Sequence, residues 1–234
     1  MSGATAEAKR HAAERVAKQV VPGMRLGLGT GSTVRHFIDI LAERLRARTL
    51  TDIVGVATSR ATAAQATRLG VPLATLDQQP QLDLTVDGAD EIGPGLDLIK
   101  GHGGALLWEK LVACSSARLV IIADESKLVQ RLGGKMALPV EVVPFGWSTH
   151  LRFIEELGAR PVLRTDGSEP FVTDGGHYLI DCHFEGGIGD PVGVDTALKA
   201  RVGIVETGLF IGMADTAIVA SASGVRTYDR EAPP

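Results

Sequence analysis

The sequence predicts an α/β fold, with a mostly parallel sheet covered by helices on both faces and a smaller α+β unit late in the chain. Three observations carry this expectation. Short apolar runs alternate with helical patterns between residues 25 and 123, the order that builds parallel strands joined by crossover helices. Three of those runs end in glycine-rich or acidic clusters, at 27–33, 87–91 and 124–127. Beyond Gly133 the pattern changes to shorter strands and shorter helices.

Taken in order, Ala8, Ala12, Val16 and Val20 recur every four residues and mark an amphipathic helix over 5–20, ended by Pro22-Gly23. The alternation then reads strand 25–27, helix 33–46, strand 53–57, helix 61–69, strand 82–86, helix 105–113 and strand 119–123. Strands over 140–143, 160–163 and 178–184, with helices over 149–157 and 192–199, form the inserted α+β unit. The apolar closing runs 204–210 and 217–220 are expected to rejoin the first sheet, and the polar tail after Ser223 to fray. The expected domains are 1–132 with 207–234 for the main sheet and 133–206 for the smaller unit.

Composition bounds the function. A chain of 234 residues, 44% hydrophobic and 22% charged, can bury one large core or two modest ones. Its formal charge of -4 supplies no global field to hold a nucleic-acid backbone or an anionic membrane, so an anionic ligand must be gripped locally. Cys114 and Cys182 lack C-x-x-C spacing and read as small core residues. No apolar stretch approaches the ~20 residues of a membrane span and the N-terminus shows no apolar targeting segment, so a cytoplasmic location is expected. His11, His36, His150, His177 and His183 show no metal-ligand spacing, and no metal is expected.

The candidate chemistry sits at the ends of the strands. In Gly27-Leu28-Gly29-Thr30-Gly31-Ser32-Thr33, glycines allow close backbone approach, and amides opening a helix favour an anion. The hydroxyls of Thr30, Ser32 and Thr33 suit a terminal phosphate. A dinucleotide loop and a plain capped turn are the rival readings, the former weakened because Ser32 replaces its third glycine.

Asp87-Gly88-Ala89-Asp90-Glu91 follows an apolar run and so lies at a carboxyl strand end, where open α/β sheets bind ligands. Three acids in five residues also fit a solvated turn or a Mg²⁺ site. Lys100-Gly101-His102-Gly103-Gly104 enters the helix that carries Glu109, and such a loop presents amides and a cation to one oxyanion. The alternative is that Glu109 and its neighbouring lysines are surface charges. Asp124-Glu125-Ser126-Lys127 forms a further strand-end cluster.

Four motifs in one order resemble the type A ribose-5-phosphate isomerases: Gly29-Thr30-Gly31-Ser32-Thr33, Asp87-Gly88-Ala89-Asp90-Glu91, Lys100-Gly101-x-Gly103 with Glu109 nine residues on, and Ser126-Lys127. The stretch Val205-Glu206-Thr207-Gly208-Leu209-Phe210 is also similar to that family. The resemblance spans nearly the whole chain. It implies a Rossmann-like main domain with a smaller α+β domain, a homodimer, and interconversion of ribose 5-phosphate and ribulose 5-phosphate through an enediolate. It implies no metal and no organic cofactor.

Carried over by motif, Glu109 is the base, assisted by Asp87 and Lys100. Thr30, Gly31, Ser32, Thr33 and Lys127 belong to the substrate site with Gly88, Ala89, Asp90, Gly101, His102 and Gly103. Lys9 takes the place of a lysine near the phosphate. Two positions depart from the family pattern: His102, where glycine is usual and where a side chain is expected to narrow the loop, and Trp108, where arginine is common. Two other readings stand beside this one, a coenzyme A transferase-like enzyme using a catalytic Glu and a catalytically silent sugar-phosphate sensor.

Overall fold

The computed structural model describes residues 3–230. The chain forms two compact units, one of Met1–Ala89, Trp108–Lys127 and Met213–Pro234, the other of Asp90–Leu107 and Leu128–Gly212. The division falls at 127/128 and 212/213, five and six residues from the expected 132/133 and 206/207, and residues 90–107 also belong to the second unit. There, Glu91–Ile92 and Leu98–Ile99 pair antiparallel, and Leu98–Ile99 also pairs with Leu209–Phe210. Strands of two residues are too short to show an alternation of polar and apolar positions, so this excursion left no periodic signal.

The first unit holds a six-stranded sheet in the order Gly224–Asp229, Thr216–Ser221, Leu119–Asp124, Leu84–Asp87, Arg25–Leu28, Val54–Ala57. Every neighbouring pair is parallel except the first. Helices α1 (Gly3–Ala17) and α2 (Ser32–Arg46) share one core with the sheet, where Val16, Phe37, Ile38 and Leu41 meet Leu26, Leu28, Leu84, Val86, Val120 and Ile122. Helix α3 (Arg60–Leu69) contributes Ala66 to this core, starts from a Ser59 cap on the Thr62 amide, and stops at Gly70 with φ 76°. On the opposite face, Val112 of α4 (Leu106–Cys114) packs with Val56 and Leu82. Gly27 makes that approach possible, since a Cβ there would lie 1.9 Å from Thr85 Oγ1 and 2.6 Å from Val112 Cγ1.

Residues 224–229 do not fray. They pair along their length with Thr216–Ser221 as an antiparallel edge strand. Such an edge needs no apolar face, so the polar composition concealed it. The expected fraying of 231–234 lies outside the described residues.

In the second unit, a four-stranded antiparallel sheet runs in the order Ile204–Thr207, Leu138–Val142, Tyr178–Phe184, Ala159–Leu163. Thus 204–207 pairs with Leu138–Val142 and 209–210 with Leu98–Ile99, and neither rejoins the first sheet as expected. Only Thr216–Ser221 returns. One face places Val140, Val142, Ile180 and Cys182 in a core with Ile154 of α5 (Leu151–Glu156) and Leu198 of α6 (Pro191–Lys199). Burial raises the Cys182 thiol pKa well above its usual range. Cys114, expected in a core, is exposed; it lies three residues from the half-exposed Leu111 on the same side of α4.

Candidate active site

In the first unit, polar residues gather at the carboxyl ends of the parallel strands. Asp87 ends its strand almost fully buried and accepts the amides of Thr30 at 3.0 Å and Gly88 at 2.7 Å. Gly29 lets this loop close on the acid, because a Cβ there would stand 2.1 Å from Asp87 Oδ1. The Thr30 hydroxyl is engaged inward, 2.8 Å from both Thr58 Oγ1 and Ser59 Oγ and 3.2 Å from Thr62 Oγ1. Thr62 in turn donates to the Gly29 carbonyl at 2.9 Å. Thr30 therefore braces the loop with its side chain, and the hydroxyl expected to meet a phosphate is already committed.

Ser32, at the first turn of α2, is exposed and accepts from Lys9 Nζ at 2.9 Å. Asp124 Oδ2 lies 3.8 Å from the same ammonium. Gly31 precedes the helix with φ 129°, a conformation that favours glycine, and no side chain caps the opening turn of α2. Thr33 behind it is buried. Lys127 closes a single 3₁₀ turn, Glu125–Lys127, whose Ser126 amide is held by Asp124 at 3.1 Å. Among the described residues, Lys127 has no hydrogen-bond or ionic partner.

Glu109 lies in the first turn of α4 and is only 4% exposed, which removes the reading of a surface charge. Trp108 lines a largely apolar cavity of about 670 Å³ with Leu73, Leu76 and Leu111.

In the second unit, Asp90 Oδ2 accepts the His102 amide at 3.0 Å. Glu91, fully buried, accepts three amides: Gly133 at 2.6 Å, Met136 at 2.7 Å and Lys135 at 2.8 Å. The acids of 87–91 thus have separate partners, and among the described residues no group of three His, Cys, Asp or Glu is placed to hold a metal. Lys100 is 2% exposed, its amide bonded to Gly208 O at 2.9 Å and its ammonium 5.5 Å from the centroid of the Phe210 ring.

The loop that follows depends on two glycines. Gly101 (φ 105°) and Gly104 (φ 79°) occupy left-handed backbone, where a Cβ would also strike Leu106 and Phe171. His102 has no such constraint. Its ring donates from Nε2 to Ala137 O at 2.9 Å. The carbonyls of Gly101 and His102 both accept from Arg164.

Sequence reasoning missed Thr58, Ser59, Thr62, Asp124 as the partner of Lys9, and Arg164. Thr58-Ser59 and Asp124 stand at strand ends and were findable by that rule. Arg164 is 63 residues from Gly101 and gave no local signal.

Fold and site together define an open-sheet α/β enzyme whose polar groups cluster at strand ends. The profile of the family "Ribose 5-phosphate isomerase A (phosphoriboisomerase A)" matches residues 54–224. The ribose-5-phosphate isomerase A of Synechococcus sp. (strain JA-3-3Ab) is 53% identical over 223 residues, 94% of this chain and 96% of that protein. That of Roseiflexus castenholzii (strain DSM 13941 / HLO8) is 52% identical over 218 residues, 93% of each. Among solved structures, ribose 5-phosphate isomerase from Plasmodium falciparum matches with a TM-score of 0.93 at 37% identity, over 97% of this chain and 100% of that one. A D-ribose-5-phosphate isomerase in complex with phospho-erythronic acid matches with a TM-score of 0.94 at 38% identity, over 98% and 100%. The chain belongs to the ribose 5-phosphate isomerase A family and is an isomerase.

Proposed function

We propose that the chain interconverts D-ribose 5-phosphate and D-ribulose 5-phosphate through an enediolate, with Glu109 as the base. The observation that carries this assignment is a carboxylate buried in the first helical turn after a glycine loop, in a chain of this family. Glu109 takes the C2 proton of the open-chain aldose, and the electrons released form the C1–C2 double bond as O1 becomes an oxyanion. The O2 proton passes to O1, the C2 carbonyl forms, and Glu109 returns its proton to C1. The product is an isomer and no redox partner is consumed.

General base help is worth roughly 10² to 10⁴ in rate, which alone leaves the enediolate too costly. Lys100 and the amides of Gly101 and Gly103 are assigned to its oxygens, where one well-placed donor contributes about 3 to 4 kcal/mol, while the His102 amide stays with Asp90. Asp87 is assigned to hydroxyl proton transfer and, as in the family motif, Asp90 with Gly88 and Ala89 to the substrate-binding segment. Lys9, Ser32, Lys127 and the opening amides of α2 are assigned to the phosphate, whose binding energy positions C1 and C2.

Phospho-erythronic acid, bound by the solved relative, carries a phosphate and a carboxylate whose two oxygens resemble those of an enediolate. We expect it to inhibit this chain competitively. We further propose a homodimer, as the resemblance implies, and a cytoplasmic setting. Among the described residues no helix is long and apolar enough to cross a membrane. Sedimentation at twice the mass of one chain supports the dimer, and monomer mass refutes it.

The test is turnover of ribose 5-phosphate in EDTA by the purified chain, with Glu109→Gln beside it. Wild-type turnover with a loss of about 10³-fold or more in the variant is expected, in the middle or upper part of the range for a lost base. Near-normal turnover in a folded variant would sink the assignment of the base.

A further inference from the structure

The two faces of the second unit's sheet differ in character. Val140, Val142, Ile180 and Cys182 enter the core, while the alternate residues Glu141, Leu179 and Asp181 lie on the other face, Leu179 directly opposite Glu141. Arg164 follows the strand Ala159–Leu163 and is 13% exposed in its side chain. Asp181 grips its guanidinium side-on, with Nε to Oδ2 at 2.9 Å and Nη2 to Oδ1 at 2.5 Å. The remaining nitrogen, Nη1, donates to two consecutive carbonyls, Gly101 O at 2.9 Å and His102 O at 3.0 Å. Phe171 lies 5.9 Å beneath the guanidinium and fills the space a Gly104 Cβ would need.

A peptide is planar, with its C=O and N–H pointing in opposite directions. Holding the carbonyls of Gly101 and His102 toward Arg164 therefore turns the amides of His102 and Gly103 away from it. The His102 amide is taken by Asp90. The Gly103 amide has no acceptor among the described residues. Gly103 is exposed, its φ is not left-handed, and a Cβ there would meet nothing within 4 Å. Packing does not require glycine at 103, whereas glycine keeps that amide open to a ligand.

We propose that Arg164, held by Asp181, is a positioning residue for the isomerisation. It fixes the His102–Gly103 peptide so that the Gly103 amide faces the developing enediolate oxygen, and its charge polarises that peptide into a stronger donor. The inference rests on the reading of residues 101–103 as the oxyanion-binding loop. A buried ion pair alone is weak grounds for a stabilising role. Here the side-on pairing commits two nitrogens to Asp181 and leaves the third on the loop.

The experiment compares Arg164→Ala, Arg164→Lys and Asp181→Asn with the wild-type chain on ribose 5-phosphate, each with and without millimolar guanidinium, and measures inhibition by phospho-erythronic acid. Arg164→Ala is expected to lower kcat about 10- to 100-fold, less than outright removal of an oxyanion donor. KM should hold within about threefold, the signature of an interaction made mainly in the transition state. Inhibition by the sugar acid should weaken by a factor similar to the loss in kcat. Guanidinium should restore part of the activity, and Arg164→Lys and Asp181→Asn should fall between the extremes.

A folded Arg164→Ala with kcat within about twofold of wild type overturns the proposal. So does a loss that neither guanidinium nor lysine relieves and that leaves sugar-acid inhibition unchanged. If Arg164→Ala does not fold, Arg164→Lys and Asp181→Asn carry the same comparison. Failure of the underlying reading looks different: an inactive wild type, or an active Glu109→Gln, removes the isomerase mechanism and this proposal together.

Discussion

Lys9 Nζ donates to Ser32 Oγ at 2.9 Å, tying the first helix to the opening turn of the second. Asp124 Oδ2, 3.8 Å away, keeps the ammonium at this strand edge. If the phosphate binds here, Lys9→Met should raise KM for ribose 5-phosphate about tenfold, equivalent to about 1.4 kcal/mol. The kcat should change less, because a remote contact is made in ground and transition states alike. An unchanged KM in steady-state assays would leave Lys9 only the role of fastening two helices.

Glu91 tests the division of labour among the acids of 87–91. Its carboxylate accepts from Gly133, Lys135 and Met136 in a fully buried position. Replacing one oxygen by an NH₂ group, as in Glu91→Gln, sets a donor against an amide donor. The expected loss is about 3 kcal/mol in urea unfolding, from charged hydrogen bonds and an unsatisfied buried group. A loss below about 1 kcal/mol would show that these three amides have another acceptor within reach.

Gly27→Ala probes the close approach of α4 to the sheet. The added methyl would sit 1.9 Å from Thr85 Oγ1 and 2.6 Å from Val112 Cγ1. Overpacking of this kind costs about 1 to 3 kcal/mol, read as a lowered thermal midpoint. Because α4 also carries Glu109, kcat should fall as well, and a variant of wild-type midpoint and kcat would refute the tight fit.

His150 supplies a pH dependence of stability. It is 3% exposed, and its Nδ1 accepts from Arg201 Nε at 3.0 Å, so the ring is held neutral. Burial, and then the Arg201 charge, lower its pKa from the usual 6.5. A lowered folded pKa means that the unfolded chain binds the proton more readily. The contribution is therefore complete above pH 6.5 and is lost as pH falls from there through the folded pKa. His150→Asn keeps an acceptor for Arg201 and removes the titration, so its unfolding free energy should decline less than that of wild type over this window. Parallel curves for the two proteins would mean that His150 is protonated alike in both states.

How much was legible beforehand varied with the range of the interaction. The alternation up to residue 124 was readable because each strand or helix declares its period within a few residues, and the expected strands 25–27, 53–57 and 119–123 overlap the observed ones closely. The sites of candidate chemistry were readable for a related reason. Residues that follow an apolar β-strand sit at its carboxyl end, which places Gly29 to Thr33, Asp87 and Asp124 from the sequence alone.

By itself, then, the sequence determined the class of fold, the family, and the residues to inspect, since periodicity and short motifs are written in neighbouring positions. Only the tertiary structure decided what those residues do with their hydrogen bonds. It turned the Thr30 hydroxyl inward, gave Glu91 to three amides, drew the His102 ring to Ala137 and set Arg164 on the glycine loop. It also sent residues 204–210 to strands of the second unit. Each outcome joins groups far apart in the chain, and burial obliges polar groups to find partners without specifying in any local pattern which partners they will be.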